Sequence, residues 1–166
     1  SRARQKSNGS SNSSEAGQFV LKLLKKRLFS SPEAFALTLE KHIDSVSTIK
    51  SNNSPDTTSK SMSNDIFRNA LDVTKEDHAD DHAYEDSIEV ALHTATALIE
   101  QMSDEEKSLL NQMKLSSESA RSTPDSKATA LIAWLSENIK PFGEWGTRRV
   151  IIFTEWRSTQ NLLVEQ

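Results

Sequence analysis

The chain of 166 residues contains no cysteine. Disulfide staples and cysteine-ligated zinc are thereby excluded, and the composition fits a reducing intracellular setting, here expected to be the cytoplasm. Apolar residues make up only 35% of the chain, and mean hydropathy is -0.59. Ser, Asn and Thr crowd several stretches, which bury too little apolar surface to offset the entropy of ordering them. No apolar run approaches the roughly 20 residues that a bilayer-spanning helix needs, and no secretory signal is visible. A G-x-x-x-x-G-K-[ST] phosphate loop is also missing, as is an acidic pair placed after a strand to hold magnesium. The chain alone is therefore not expected to hydrolyse ATP or to hold a cofactor. Net charge is -4, so bulk charge does not favour polyanions, and local basic clusters decide that question.

What remains is mainly helical periodicity. Residues 1–14, SRARQKSNGSSNSS, read as a flexible basic arm. Residues 15–49 read as a helical hairpin. Phe19, Val20, Leu23, Leu24 and Leu28 recur at helical spacing, with Lys22, Lys25, Lys26 and Arg27 between them as a basic strip. Ser31-Pro32-Glu33 then supplies a cap, a proline at the first helical position and an acid in the first turn. Phe35, Leu39, Ile43 and Val46 continue one face of the second helix. Residues 50–65 are poor in apolar side chains and read as a disordered linker.

Residues 66–121 read as a further helical region. Ile66, Phe67, Ala70, Leu71 and Val73 suggest a short helix, and 75–86 an acidic solvated stretch. Ile88, Ala91, Leu92, Ala95, Leu98 and Ile99 form a face suited to burial. Ser103 and Glu106 make a capping box that opens a helix carrying Leu109, Leu110, Met113 and Leu115. From 122 to 166, a helix begins near Asp125 and carries Ala130, Leu131, Trp134, Leu135 and Ile139. A loop, KPFGEWGT, leads to an apolar strand at 149–154, after which Leu162 and Leu163 resume helical spacing. The predicted fold is thus mostly α, helical hairpins with disordered linkers, ending in a single β-strand. A lone strand has no complete sheet, which makes a piece of something longer the natural reading.

Two blocks resemble a known family. Asp125-Ser126-Lys127 followed by ATALIAWLSEN resembles the D-x-K-x-x-x-L-x-x-L-L helix before the second RecA-like lobe of superfamily-two helicases, specifically Swi/Snf-type DNA translocases. RVIIFTEWRSTQNLL resembles that lobe's first strand and motif IV, with Val150 to Phe153, Thr154, Glu155, Trp156, Arg157 and Thr159 at matching positions. Upstream, LLKKRLFSSPEAFALTLEKH resembles the helical connector between the lobes in bacterial members, closest to the large helicases of DISARM-type phage defence. The resemblance covers a third to a half of the chain. It implies that 122–166 starts a truncated α/β RecA-like lobe, and that ATP and Mg belong to flanking lobes of the parent protein. It also implies DNA as partner, held through its backbone without sequence preference.

The same resemblance makes Thr154, Arg157, Ser158 and Thr159 candidates for phosphate contact, since hydroxyls and amides at a strand's end bond phosphate oxygens without reading bases. Thr154 and Thr159 could equally cap the strand-to-helix turn, leaving Arg157 an ordinary exposed charge. Lys25, Lys26 and Arg27, with Lys22, could lie along a duplex; charge runs on helices are more often a solvated face. His78 and His82 stand at i and i+4, a spacing that can pair imidazoles on a metal, but no third ligand is specified, and an acidic linker is the better reading. Trp134 is expected to pack, whereas Trp145, in a loop flanked by glycines, suits either packing or stacking on bases. The alternative to a motor segment is a non-catalytic helical module that binds a protein partner.

Overall fold

In a computed structural model, the described residues are 2–51, 57–74, 81–99, 102–121 and 125–165. Among the described residues seven helices follow in order: α1 (Arg2–Ser30), α2 (Pro32–Ser51), α3 (Thr57–Val73), α4 (Asp81–Leu98), α5 (Asp104–Arg121), α6 (Ser126–Asn138) and α7 (Arg157–Glu165), with a 3-10 turn at Pro141–Gly143. The backbone of α1 passes through the stretch expected as an arm, and α3 begins inside the stretch expected as a linker. Residues 52–56 of that linker lie outside the described residues.

Helices α1 to α4 make the core. On α1, Ala16, Val20, Leu23 and Leu24 are buried at positions one and two turns apart, and Arg27 follows them inward. Phe35 and Leu39 of α2, Phe67 of α3, and Ile88, Leu92, Ala95 and Leu98 of α4 close the cluster. Phe19 meets Phe67 edge to face, with ring centroids 5.8 Å apart. Helix α4 packs on α1, α2 and α3, while α2 also receives α5 and α7.

Small hydroxyl residues let a chain of such low apolar content build this core. Thr38, Ser45, Ser87, Thr94, Thr96 and Ser117 are all buried. Each donates its hydroxyl to a carbonyl one turn back on its own helix, at 2.7 to 2.9 Å. Buried oxygens satisfied in this way carry no penalty for unmade bonds. Thr96 Oγ1 gives its single proton to the Leu92 carbonyl, so it accepts from His42 Nδ1 at 2.9 Å. His42, 3% exposed, is thereby held as the Nδ1–H tautomer.

The helix boundaries follow the capping chemistry. Ser31 Oγ accepts the Ala34 N–H at 3.1 Å, with Pro32 next in the first turn. The Ser103–Glu106 capping box is formed in both directions, at 2.7 and 3.2 Å. Asp125 caps α6 through the Ala128 N–H at 2.7 Å. Arg121, in the last turn of α5, grips Glu33 with Nε and Nη2 at 2.7 and 2.8 Å, and Glu40 with Nη1 at 2.9 Å. That fork ties α5 to α2 and holds the Arg121 pKa above its ordinary value, chiefly through the Glu33 bonds.

Two expectations need correction, and one helix keeps apolar side chains in solvent. No strand forms at 149–154, and none is present among the described residues. Ile151 and Phe153 are 77% and 90% exposed. An extended segment becomes a strand only when a neighbour supplies the ladder, and none lies beside it here. Leu109 and Leu115 of α5 are also exposed, because α5 packs on α2 and buries Ser117, and its last turn is tied down by Arg121. Trp134 is half-exposed rather than packed, since α6 buries only Ala128 and chiefly contacts the 3-10 turn.

Candidate functional site

The two sequence blocks singled out above meet in space. Ser30 and Ser31, at the junction of α1 and α2, hydrogen-bond the Thr159 hydroxyl at 2.7 and 2.9 Å, across 129 and 128 residues of chain. Lys26 Nζ pairs with Glu155 at 3.0 Å. Lys127, at the start of α6, donates to the carbonyls of Phe29 and Ser30, the latter at 2.7 Å. Those carbonyls end α1 and lack helical partners, so the cation sits where the helix dipole favours it.

Trp156 is the centre of this junction. It is 2% exposed and stands as one of the largest fully buried side chains. The Arg27 guanidinium lies 3.5 Å from the centroid of its ring. Tyr84 of α4 stacks against the same indole, with centroids 5.9 Å apart and planes 17° from parallel. Arg27 also approaches Glu85 at 3.6 Å, and Glu85 accepts the Arg157 backbone N–H at 3.1 Å. Burial pushes the Arg27 pKa down and the Glu85 carboxylate resists that shift. The aromatic face and the carboxylate offset part of that desolvation, while Arg27 Nε is buried without a hydrogen-bond partner.

Each expected contact residue now has a place. Thr154 is spent on a local turn: its hydroxyl donates to the Trp156 carbonyl at 2.8 Å and accepts the Trp156 N–H at 3.2 Å. Thr159 is buried and held by the two serines. Ser158 Oγ is buried without a hydrogen-bond partner. Arg157 is exposed and its guanidinium touches His82. Arg27 faces inward, whereas Lys22, Lys25 and Lys26 face outward as a strip of three cations on α1. The Thr154 and Thr159 hydroxyls thus serve to hold the turn and to dock the segment.

His78 lies outside the described residues. Among the described residues no group of three His, Cys, Asp or Glu is placed to hold a metal, and no helix is long and apolar enough to cross a membrane. A shallow cleft of about 250 Å³ between α2 and α4 is lined by Lys41, Ser45, Glu89, Leu92 and His93, among others, and Lys41 pairs with Glu89 there.

Sequence reasoning did not find the partners of Trp156. Tyr84 and Glu85 sit in a stretch that reads as acidic linker, and their single local signal is one aromatic amid carboxylates. Beyond the junction, the loop at 140–146 projects its aromatic rings outward. Phe142 adopts φ 59°, a left-handed conformation costing a non-glycine residue about 1 kcal/mol. Gly143, at φ 84°, supplies the second left-handed position with no such cost. The Gly146 N–H closes the loop onto the Ile139 carbonyl at 2.8 Å.

Comparison with protein-family models, with curated proteins and with solved structures finds no match.

Proposed function

We propose that this chain is the inter-lobe region of a cytoplasmic, ATP-dependent DNA translocase or helicase of the Swi/Snf type: a helical connector followed by the entry to the second RecA-like lobe. One observation carries the reading. The blocks that resemble the family's connector and its motif IV, far apart in sequence, share one buried junction around Trp156.

In this reading ATP and magnesium are held by the flanking lobes, and the chain contributes no catalytic group. Its work is to join the lobes and to fix the direction in which the second begins. The exposed apolar run at 150–153 then has an occupant, the neighbouring strands of that lobe. Lys22, Lys25 and Lys26 form an outward cationic strip suited to phosphate oxygens, with no demand on base identity.

The test is a salt titration of binding to a 20-base-pair duplex. Log affinity should fall linearly with log salt, with a slope of about -0.9 for each phosphate neutralised. The double substitution Lys22→Glu and Lys25→Glu should weaken binding and flatten that slope, while Lys41→Glu, on α2, should do neither. Equal binding by all three proteins removes the DNA role. In the encoding reading frame, absence of a phosphate loop upstream and of an arginine motif downstream removes the motor.

A second reading, a helical protein-interaction module, is favoured by the exposed Leu109, Met113 and Leu115 on α5. It predicts no salt-sensitive affinity for the duplex.

A further inference from the structure

Ten aromatic residues occur in the chain; among the described residues five are exposed, Phe29 on α1 at 76% and four others close together in sequence. Trp134, Phe142, Trp145 and Phe153 are 48%, 106%, 78% and 90% exposed. These four fall within 20 residues of chain, whereas Trp156, three positions further on, is buried. Lys140, Arg148 and Arg149 are interleaved with them and all exposed, against Glu144 within the same ten residues 140–149. This stretch therefore carries net positive charge in a chain of net charge -4.

The loop is built to hold its rings out. Phe142 is locked at positive φ beside Gly143, and backbone bonds from Glu144 to Pro141 and from Gly146 to Ile139 close the turn beneath it. Lys140 Nζ lies 5.2 Å from the Trp145 ring centroid, on one side of the indole. With 78% of Trp145 exposed, the ring still offers solvent a stacking surface. Rings held outward beside cations are the combination that binds unpaired nucleotides: each base has a face to stack, and each phosphate a charge to neutralise. Aromatic rings and arginine also mark protein interfaces, so a protein contact is the competing outcome that the experiment below separates.

We infer that the 140–149 loop is a stacking platform for single-stranded DNA, with Phe142 and Trp145 receiving adjacent bases and Lys140, Arg148 and Arg149 lying along the backbone. The inference rests on the DNA reading above for its choice of nucleic acid. It places unpaired strand at a site separate from the lysine strip of α1.

The experiment uses the full chain and fluorescein-labelled dT20, followed by anisotropy, with a 20-base-pair duplex and rU20 as parallel probes. Phe142→Ala and Trp145→Ala should each weaken dT20 binding about tenfold and leave duplex binding and the far-ultraviolet circular dichroism unchanged. Both rings are exposed, so loss of fold is not expected, and the dichroism checks it. Unchanged dT20 binding in the double variant overturns the platform, and if duplex binding by the lysine strip persists, the proposed function survives that failure. Loss of both dT20 and duplex binding in the unsubstituted protein overturns both. Tighter binding to rU20 than to dT20 overturns the assignment to DNA. A concentration-dependent dimer in sedimentation that the two substitutions abolish, with dT20 affinity intact, makes the loop a protein contact instead.

Discussion

Replacing Trp156 with alanine should undo the junction between the C-terminal segment and the helical body. The indole is 2% exposed, and truncating a buried Phe or Trp to Ala typically costs about 3–5 kcal/mol. The loss here does not end with a cavity. Arg27 keeps its charge, remains desolvated and loses the aromatic face 3.5 Å away, and a desolvated cation–π contact is worth about 2 kcal/mol. Together these come to about 5–7 kcal/mol, and a domain of this size shifts its Tm by about 2–4 °C per kcal/mol, so Trp156→Ala should melt roughly 10–28 °C lower than the parent. Differential scanning calorimetry measures the shift. A cycle with Arg27→Met then isolates the pair, and the double variant should be less destabilised than the sum of the single ones. A Tm within 2 °C of the parent would refute the view that Trp156 anchors the segment. Strict additivity in the cycle would refute the Arg27–indole contact while leaving the burial argument in place.

Three further outcomes follow from the geometry. Burial pushes the His42 pKa down, so the unfolded chain binds a proton that the folded chain refuses; stability should fall as pH drops below about 6.5, and His42→Gln should flatten urea midpoints measured between pH 7.5 and 5. Ser158→Ala removes a buried hydroxyl that has no partner and should be neutral or stabilising by up to about 1 kcal/mol in urea unfolding, whereas a loss above 1 kcal/mol would reveal a bond to that oxygen. Arg121→Met should speed amide exchange across α5 while leaving α4 protected, since the fork to Glu33 and Glu40 ties α5 to α2; equal exchange in α5 would mean that its packing alone suffices.

The helices of this protein were legible because their determinants are local. The capping box at Ser103 and Glu106 and the Ser31-Pro32 boundary lie within three or four residues of the bonds they make. Periodicity located the inward faces of α1 and α4 for the same reason, except that Leu28, at the end of α1, is exposed. It did not reveal that Leu109, Met113 and Leu115 on α5 are left exposed. Spacing states which side chains share a face, not whether another element arrives to cover it.

The candidate site divides along the same line. That residues 150–159 hold an apolar run, a polar turn and the start of a helix is written in the sequence. The chain itself also decides that Lys22, Lys25 and Lys26 share a strip, because helical geometry alone puts them there. Helical spacing likewise puts Arg27 on the face of Val20, Leu23 and Leu24. Tertiary structure alone decided that Trp156 meets it there, that Tyr84 backs the indole, and that Thr159 spends its hydroxyl on Ser30 and Ser31. It also left 150–153 without a ladder. These outcomes depend on pairs separated by 70 to 130 residues, as in the links from Arg157 to Glu85 across 72 and from Ser30 to Thr159 across 129. Such contacts obey no sequence period, because folding sets their distance.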